Sequence, residues 1–507
     1  MSAPAGRIPG IFRNRIMFGI MSGWGAQMVS LALGVLTMPL FFRYLPQEEL
    51  GVWMFILGTG LFVNLADLGF SPVLGRQLAF ELGKGDREAR PNHTGASYYF
   101  SLSRYVSNIT SSILLCVMLL PGGLFIWALG LPHGLLASSL EAWAIFCLAQ
   151  TVTCRFKYLE TALNSHGEVG WQNWAQAAVQ SLTLLGYFMA LYLWQGGIVV
   201  LSIVVLGRNI LNAILLGFLV RGRVDKAFRE RVRVAWRDVR PHLRPALDFF
   251  LIGLGGFLVL NTDQYFIVKF LGTAALPDYA AAYRLVQVFY VFSSTVSQMC
   301  VPFISRRSGA AERTAVHRML MLNTTVGMII QIAAVSVLAV FGDYIMQLWL
   351  GKGHFVGWGV LWVFCAMLTL ENHHVIFARF GQSSGTDSVW GKMAVLAGVI
   401  NLVLTYIGVM WLGLLGVALG TMVAQVLTNN WYAVAKSLEI VQMRFLSYMR
   451  GSGVVWAATG AVLLALMSAI RALVPWPMAS LLAGISVTGI LCSGVMYFYL
   501  RKKLVAV

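Results

Sequence analysis

Charged residues are scarce in this chain. They form 11% of its 507 residues, whereas hydrophobic residues form 58%, and a typical soluble protein is about 25% charged. This composition excludes an ordinary soluble domain and directs attention to the length and placement of the apolar runs.

Signatures of enzymes and metal sites are also missing. The sequence has no Gly-x4-Gly-Lys-Ser/Thr phosphate loop, so direct ATP hydrolysis is not expected. The six cysteines lie in apolar segments without metal-ligand spacing, and we expect neither a disulfide framework nor a metal site. His373 and His374 follow Glu371, but adjacent residues point to different faces of a helix and do not share a metal ion. We expect no cofactor.

Fourteen long apolar segments account for most of the chain. Each has about 20 residues or more, enough to cross a hydrocarbon core of ~30 Å as a helix. Because bundled helices satisfy their own backbone hydrogen bonds in lipid, the sequence predicts an all-α polytopic membrane protein with about 14 transmembrane helices. The segments are 17–42, 52–74, 101–121, 142–163, 173–194, 198–220, 247–271, 281–304, 319–341, 357–378, 393–411, 414–435, 452–471 and 480–500.

Basic residues concentrate in every second connection between these segments. Thirty of the 37 Lys and Arg residues lie on the side that holds both termini, and only Arg43, Lys352 and Arg471 lie on the opposite side. The positive-inside rule therefore predicts cytoplasmic termini and an even number of helices. The same rule explains the net charge of +17 by membrane topology, so this charge does not indicate a nucleic-acid partner. The first segment is longer than a signal-peptide core, so we expect it to be retained as helix 1.

The largest polar stretch, residues 221–246, divides the chain. It predicts a basic cytoplasmic linker between an N-terminal lobe of helices 1–6 (1–220) and a C-terminal lobe of helices 7–12 (247–436), with helices 13 and 14 in 437–507. Its charge also suits contact with anionic lipid headgroups.

The two predicted lobes share short sequence features. A basic–aromatic–Leu sequence occurs at 43–45 and 269–271, and a Pro-x-x-x-Arg sequence occurs at 72–76 and 302–306, so the spacings are 226 and 230 residues. Repeats that start on the same side predict parallel halves with the substrate path between them. A chance match is the alternative.

Ionisable residues inside segments are the candidate functional residues, because an unpaired charge at bilayer depth is costly and normally faces a cavity or a partner. Arg208, Lys269 and Arg284 suit the binding of an anionic substrate. Asp263, in the polar run at 261–264, and Asp67 suit the exchange of a proton or a sodium ion.

Each of these candidates also has a structural interpretation. Lys269 and Arg284 are near enough to helix ends to extend to the membrane interface, and Asp67 can pair with a neighbouring Asn or Arg. Asp263 and Arg208 lie too deep in their segments to extend easily, which favours a position in a cavity.

Five local sequences carry a family resemblance. They are the hairpin between helices 1 and 2 (42–53), Leu-Ala-Asp-Leu-Gly-Phe-Ser at 65–71, the sequences at 263–272 and 279–283, and the Gly-rich turn at 413–421. Their order and spacing resemble bacterial polysaccharide flippases (the O-antigen and exopolysaccharide group) of the multidrug/oligosaccharidyl-lipid/polysaccharide exporter superfamily. The helix count and the predicted topology extend the resemblance over nearly the whole chain.

The resemblance implies two six-helix lobes around a central cavity in a bacterial inner membrane. It implies that the protein flips an undecaprenyl-pyrophosphate-linked oligosaccharide from the cytoplasmic to the periplasmic leaflet, coupled to H+ or Na+ through an embedded Asp. The diphosphate and acidic sugars would then contact Arg208, Lys269, Arg284 and Arg43. Membrane lipids and polysaccharide polymerase or export proteins are the expected partners.

Three other functions are open at this stage. A multidrug or organic-cation antiporter of the same superfamily favours acidic and aromatic pockets, whereas the buried basic residues here equal or outnumber the acidic ones. A flippase of the peptidoglycan precursor shares the fourteen-helix plan, but the hairpin at 42–53 is closer to the polysaccharide group. A membrane-embedded polymerase or ligase needs catalytic groups on a long outer loop. The outer connections are all short, so we expect no enzyme activity.

Overall fold

Helices form the regular structure of the chain in the computed structural model. The structure describes residues 10–60, 62–87, 93–225, 230, 232–309, 313–384 and 389–505, and these ranges contain no β-strand. The prediction of an all-α protein is therefore confirmed.

The chain divides into two units, Met1–Leu254 and Gly255–Val507, and helix α11 (Leu243–Leu260) crosses the boundary between them. The first unit also contains α1 (Gly10–Tyr44), α2 (Gln47–Thr59), α3 (Phe62–Ala66), α4 (Phe70–Arg87), α5 (His93–Trp127), α6 (His133–Arg155), α7 (Lys157–Ser165), α8 (Val169–Phe188), α9 (Ile198–Arg223) and α10 (Trp236–Val239). The second unit also contains α12 (Asp263–Phe270), α13 (Leu276–Gly309), α14 (Arg313–Leu350), α15 (Trp358–Ser384), α16 (Val389–Leu427), α17 (Asn429–Ile440), α18 (Phe445–Tyr448), α19 (Val454–Leu473) and α20 (Pro477–Val505). The predicted domain boundaries stay a prediction.

In the first unit, α6 packs against both α5 and α9, and α1 packs against α8. The C-terminal part of the predicted linker also packs here. Val239 is buried with Phe70, Leu74 and Leu102, and the backbone N–H of Val232 donates to Ser101 Oγ at 3.0 Å. This part of the linker is therefore held against α4 and α5, while residues 226–229 and 231 lie outside the described residues.

In the second unit, α13 packs against α14 and α15, and α14 also contacts α19 and α20. Phe377, Phe380 and Tyr448 are fully buried in one hydrophobic cluster where α15, α17 and α18 meet. A π-helical segment, Met449–Gly453, leads into α19. The helices of each unit thus bury aromatic and aliphatic faces against one another.

Eleven helical stretches among the described residues are long and apolar enough to cross a membrane. The chain is therefore a multi-pass membrane protein. One stretch, Trp390–Ile440, covers two of the predicted segments, whereas the predicted segments 52–74 and 281–304 are absent from the eleven and fall on helices α2–α4 and α13. The count of fourteen spans stays a prediction.

The segment predicted as helix 2 is interrupted. Instead of one helix, residues 47–87 form α2, α3 and α4, and Leu68 and Gly69 between α3 and α4 have φ of 51° and 76°. A side chain at Gly69 would also clash with Ala246 O and lie 2.9 Å from Phe249 Cβ. Glycine is needed because it alone combines a positive φ with such a close backbone approach.

A tight helical hairpin replaces a straight helix in α16. Gly413 has φ of 57° and ψ of −133°, so the helix reverses there, and Gly408 and Gly416 meet backbone to backbone. A Cβ added at Gly420 would lie 2.7 Å from Thr405 N. The predicted Gly-rich turn is thus a contact that depends on small residues, as is common between membrane helices.

Replacing Gly416 with Ala is expected to destabilise the protein by about 3 kcal/mol, because the new methyl group would overlap backbone atoms that cannot move aside. Thermal unfolding of the purified protein in detergent would measure the loss as a lower midpoint. The matched control is Gly217→Ala in α9, where an added Cβ meets nothing within 4 Å. An unchanged midpoint for Gly416→Ala would contradict the hairpin contact.

Candidate functional site

The break between α11 and α12 places Asp263 beside polar side chains of the second unit. Helix α11 ends at Leu260, Asn261 and Thr262 connect it to α12, and Asp263 occupies the first turn of α12. Acidic residues are stabilised at this end of a helix by its dipole. The polar run at 261–264, inside the predicted segment 247–271 (helix 7), is therefore the place where that helix is interrupted.

The carboxylate of Asp263 accepts two hydrogen bonds from other helices. Tyr279 OH, on α13, donates to Oδ2 at 2.7 Å, and Thr421 Oγ1, on α16, donates to Oδ1 at 2.8 Å. Tyr279 and Thr421 are only 4% and 2% exposed. Asp263 thus connects three helices through charge-assisted hydrogen bonds, which are stronger than those between neutral groups.

The carbonyl groups at the end of α11 are engaged by a buried amide. Asn401 Nδ2 donates to Leu258 O at 2.8 Å and lies 3.3 Å from Val259 O. Thr405 Oγ1 donates to Asn401 Oδ1 at 3.2 Å. We call Asp263, Tyr279, Thr421, Asn401 and these carbonyl groups the helix-7 break site. It gathers carboxylate, hydroxyl, amide and carbonyl oxygen atoms, the ligands that hard cations prefer, and a broken helix of this kind is where transporters hold coupling ions.

Asp67 caps the start of α4 in the first unit. Ser71 N donates to Asp67 Oδ2 at 2.9 Å, and Ser71 Oγ donates to Oδ1 at 2.6 Å. Lys157 Nζ, at the start of α7, lies 3.9 Å from Asp67 Oδ2, and these side chains are 19% and 8% exposed. Asp67 therefore has a structural partner, a lysine instead of the neighbouring Asn or Arg considered from the sequence.

A second acid extends this cluster. Glu160 is one turn beyond Lys157 on α7, within its electrostatic range, and accepts a hydrogen bond from Gln176 Nε2 at 3.3 Å. Asp67, Lys157 and Glu160 line a cavity of about 630 Å³ together with Arg76. The lysine thus stands between two carboxylates, and we call these three residues the Asp67–Lys157–Glu160 cluster.

Arg208 lies in α9, half-buried, beside an asparagine that fixes the helix. Its Nε donates to Asn209 Oδ1 at 3.0 Å, while Asn209 Nδ2 donates to Ala149 O of α6 at 2.8 Å. In the described part of the chain no hydrogen bond uses the Nη groups of Arg208. Asn209 thus orients the guanidinium of Arg208 through its Nε group, and the Nη donors are free to bind an anionic group.

The other predicted cationic residues lie in different local settings. Arg284 Nη1, on α13, donates to Gln287 Oε1 at 3.0 Å. Arg43 is exposed in the last turn of α1, with its guanidinium carbon 5.8 Å from the ring centre of Tyr44. Lys269 is exposed in the last turn of α12, the helix that begins with Asp263. These settings do not test the predicted substrate contacts, which stay predictions.

The adjacent histidines bind different elements. His373 Nε2 lies 2.6 Å from Tyr448 OH, and His374 Nδ1 lies 3.0 Å from Asn429 O. Among the described residues, no group of three or more His, Cys, Asp and Glu side chains is placed to hold a metal ion. Both histidines thus contact helices that pack against α15.

Several residues of these two sites were missed by sequence reasoning. Lys157 was counted only among the basic residues that indicate topology, and Glu160 was not singled out, although both lie in the predicted segment 142–163 and within α7. Tyr279, Asn401 and Thr421 are neutral, so a search for buried charges does not find them. Polar residues inside an apolar segment would have been a signal for Asn401 and Thr421.

Comparisons with solved structures identify the fold. An inward closed structure of the lipid II flippase MurJ has a TM-score of 0.71 at 14% identity, over 96% of this chain and 100% of that chain. An inward-facing multidrug resistance MATE family transporter of the MOP superfamily has a TM-score of 0.67 at 14% identity, over 83% of this chain and 99% of that chain. The MATE transporter VcmN of Vibrio cholerae has a TM-score of 0.59 at 14% identity, over 87% and 99%. The chain therefore has the fold of MOP-superfamily transporters.

A sequence comparison identifies the family. The family described as "Polysaccharide biosynthesis protein" matches residues 18–308, more than half of the chain, and the chain belongs to that family. This confirms the resemblance drawn from the local sequences. No curated protein matches the chain.

Proposed function

We propose that this protein is a transporter, and not an enzyme, that flips undecaprenyl-pyrophosphate-linked oligosaccharide from the cytoplasmic to the periplasmic leaflet. The flipped oligosaccharide would supply the synthesis and export of a lipopolysaccharide or exopolysaccharide. The observation that carries the proposal is membership of the polysaccharide biosynthesis family in a chain with a MOP-superfamily transporter fold. The location proposed is the bacterial inner membrane, with both termini cytoplasmic, because 30 of 37 basic residues lie on that side.

The cationic residues account for binding in this proposal. Arg208 offers unused Nη donors, and Arg284, Lys269 and Arg43 add positive charge for a diphosphate or an acidic sugar. Arginine suits this role because its planar donors match two phosphate oxygen atoms at once. The lipid tail would stay in the bilayer, where its transfer into water is avoided.

The helix-7 break site accounts for coupling to H+ or Na+ by antiport. Hydroxyl groups both donate and accept hydrogen bonds. Tyr279 and Thr421 donate to Asp263 in the structure, and they can instead turn their oxygen atoms towards a bound cation. These residues come from α12, α13 and α16. Binding of a cation would therefore change the hydrogen bonds that connect these three helices. Asp67, held by Lys157 and Ser71, is the less accessible coupling residue.

Reconstituted vesicles test the proposed function. Protein would be placed in vesicles that contain a lipid-linked oligosaccharide labelled on its sugar, and the fraction reachable by an impermeant oxidant would be followed over time. Protein-dependent movement of the label between leaflets, accelerated by a proton or sodium gradient, is expected. Gradient-driven uptake of a cationic dye without movement of the label would favour the drug-antiporter function. Movement of lipid II in preference to the oligosaccharide would favour the peptidoglycan-precursor function.

A further inference from the structure

A second cavity lies within the second unit and shares no lining residue with the helix-7 break site. It has a volume of about 620 Å³ and lies between the connection 351–357, which follows α14, and the turn that joins α19 to α20. This volume is typical of sites for small molecules, which combine apolar walls with a few oriented polar groups. Lys352 and Arg471 line the cavity. They are two of the three basic residues that the charge distribution assigns to the side opposite the termini.

An ion pair forms one wall of the cavity. Arg471 Nη2 donates to Asp343 Oδ2 at 2.7 Å, and Arg471 Nη1 donates to Asp343 Oδ1 at 3.0 Å. The two side chains are 42% and 33% exposed, so both are reachable from the cavity. A paired guanidinium and carboxylate presents donors and acceptors side by side, which matches the neighbouring hydroxyl groups of a sugar ring.

The guanidinium of Arg471 is held in place by further contacts. Nη1 also donates to Val340 O, and the guanidinium carbon lies 5.3 Å from the ring centre of Trp358. Side chains fixed in this way lose little conformational entropy when a ligand binds. Arg471 is therefore a preorganised donor, although these contacts leave part of its five N–H groups unused.

Lys352 gives the cavity a net positive charge. Asp343 offsets the charge of Arg471, and Lys352 has no acidic partner among the described residues. Its flanking glycines have φ of 99° at Gly351 and 97° at Gly353, conformations that place the lysine on a tight turn. An anionic group in the cavity would therefore meet an unpaired ammonium.

Aromatic rings complete the walls. Phe355 and Tyr344 line the cavity, and the ring of Phe355 packs edge to face against Trp358, with centroids 5.1 Å apart. An aromatic surface beside polar groups suits a sugar, whose C–H faces are apolar and whose edges carry hydroxyl groups. A simple phosphate ion would make no use of these rings.

From this arrangement we infer that the cavity is a binding site for a saccharide that carries a carboxylate or phosphate group. The Arg471–Asp343 pair binds its hydroxyl groups, Lys352 binds its anionic group, and Phe355 packs against a ring face. The inference rests on the proposed function for its substrate class. It places a sugar contact on the side that the charge distribution assigns to the periplasm, where the oligosaccharide arrives after transfer.

A pair of soluble disaccharides tests this site without any transport step. Cellobiouronic acid and its neutral analogue cellobiose would be titrated into the purified full-length protein in nanodiscs, with binding followed by ligand-observed NMR. Wild-type protein is expected to bind the acid more tightly. Lys352→Gln, on an exposed turn, is expected to weaken binding of the acid about tenfold, in line with the loss of a charged hydrogen bond, and to leave cellobiose unchanged. The matched control is Lys392→Gln, an exposed lysine of α16 outside the cavity.

The site would be disproved if wild-type protein bound neither disaccharide, or if Lys352→Gln and Lys392→Gln bound the acid equally. Inorganic phosphate that displaced cellobiouronic acid with equal affinity would also overturn the saccharide assignment, because the sugar would then contribute nothing. Binding of the acid by a protein that fails to flip lipid-linked oligosaccharide would support the site and reject only the transport function.

Discussion

Replacing Asp263 with Asn is expected to remove most of the gradient-driven transport and to leave the protein folded. Asn has nearly the same shape, and its amide oxygen can still accept a hydrogen bond from Tyr279 or Thr421. It cannot take up a proton or neutralise a cation, however, so the helix-7 break site would lose its exchangeable charge. We expect the gradient-dependent rate in vesicles to fall at least about tenfold, which corresponds to about 1.4 kcal/mol.

The matched control for this substitution is Asp248→Asn. Asp248 is an exposed residue of α11, so the same chemical change there should leave both the rate and the response to the gradient unaltered. A folded Asp263→Asn protein with an undiminished response would sink the assignment of Asp263 as the coupling residue. Thr421→Val should have an intermediate effect, because it removes one hydrogen-bond donor to Asp263 and leaves the charge of that carboxylate in place.

Replacing Lys157 with Met is expected to destabilise the protein by about 2 kcal/mol. The substitution keeps an unbranched apolar side chain but leaves Asp67 and Glu160 in their cavity without the ammonium between them. Removing one partner of a buried ion pair costs about 3–5 kcal/mol, and the partial exposure of Lys157 lowers that figure. Thermal or denaturant unfolding in detergent would measure the loss, and Asp67→Asn added to Lys157→Met should recover part of it.

Lys436→Met provides the comparison for Lys157→Met. Lys436 pairs at 3.4 Å with Glu439, whose side chain is 71% exposed, and exposed pairs are worth no more than about 1 kcal/mol. Its substitution should therefore have little effect on the unfolding midpoint. Equal effects of the two substitutions would show that the Asp67–Lys157–Glu160 cluster adds nothing beyond an ordinary surface ion pair.

The helical architecture was accessible from the sequence because hydropathy averages over about 20 residues and needs no knowledge of contacts. The interruptions of the helices were not accessible in the same way. Residues 52–74 read as one apolar segment, yet the positive φ of Leu68 and Gly69 ends one helix and starts another. At 261–264 the polar run was visible in the sequence, but the sequence did not show whether the helix continues through it. The break exposes backbone carbonyl groups, and Asn401, distant in sequence, donates hydrogen bonds to those of Leu258 and Val259.

In the candidate sites, too, the sequence revealed some residues, whereas others are brought together only by the fold. Asp263 was found from the sequence because a charge inside an apolar segment is rare. Its donors Tyr279 and Thr421 were not, because they are neutral and Thr421 lies 158 positions away. Lys157 was overlooked for a related reason: basic residues near a helix end are normally read as topology signals, and only the fold brings this one to Asp67.

The leaflet distribution of the lipid-linked oligosaccharide in cells most directly tests whether this protein moves that anionic lipid past basic residues such as the half-buried Arg208. A strain that lacks the gene would be labelled on its lipid-linked oligosaccharide, and the fraction in each leaflet would be measured after complementation with wild type or with Arg208→Ala. We predict accumulation in the cytoplasmic leaflet that is relieved by the wild-type protein and not by a stably folded Arg208→Ala protein. An unchanged leaflet distribution in the deletion strain, together with altered sensitivity to cationic dyes, would contradict the claim.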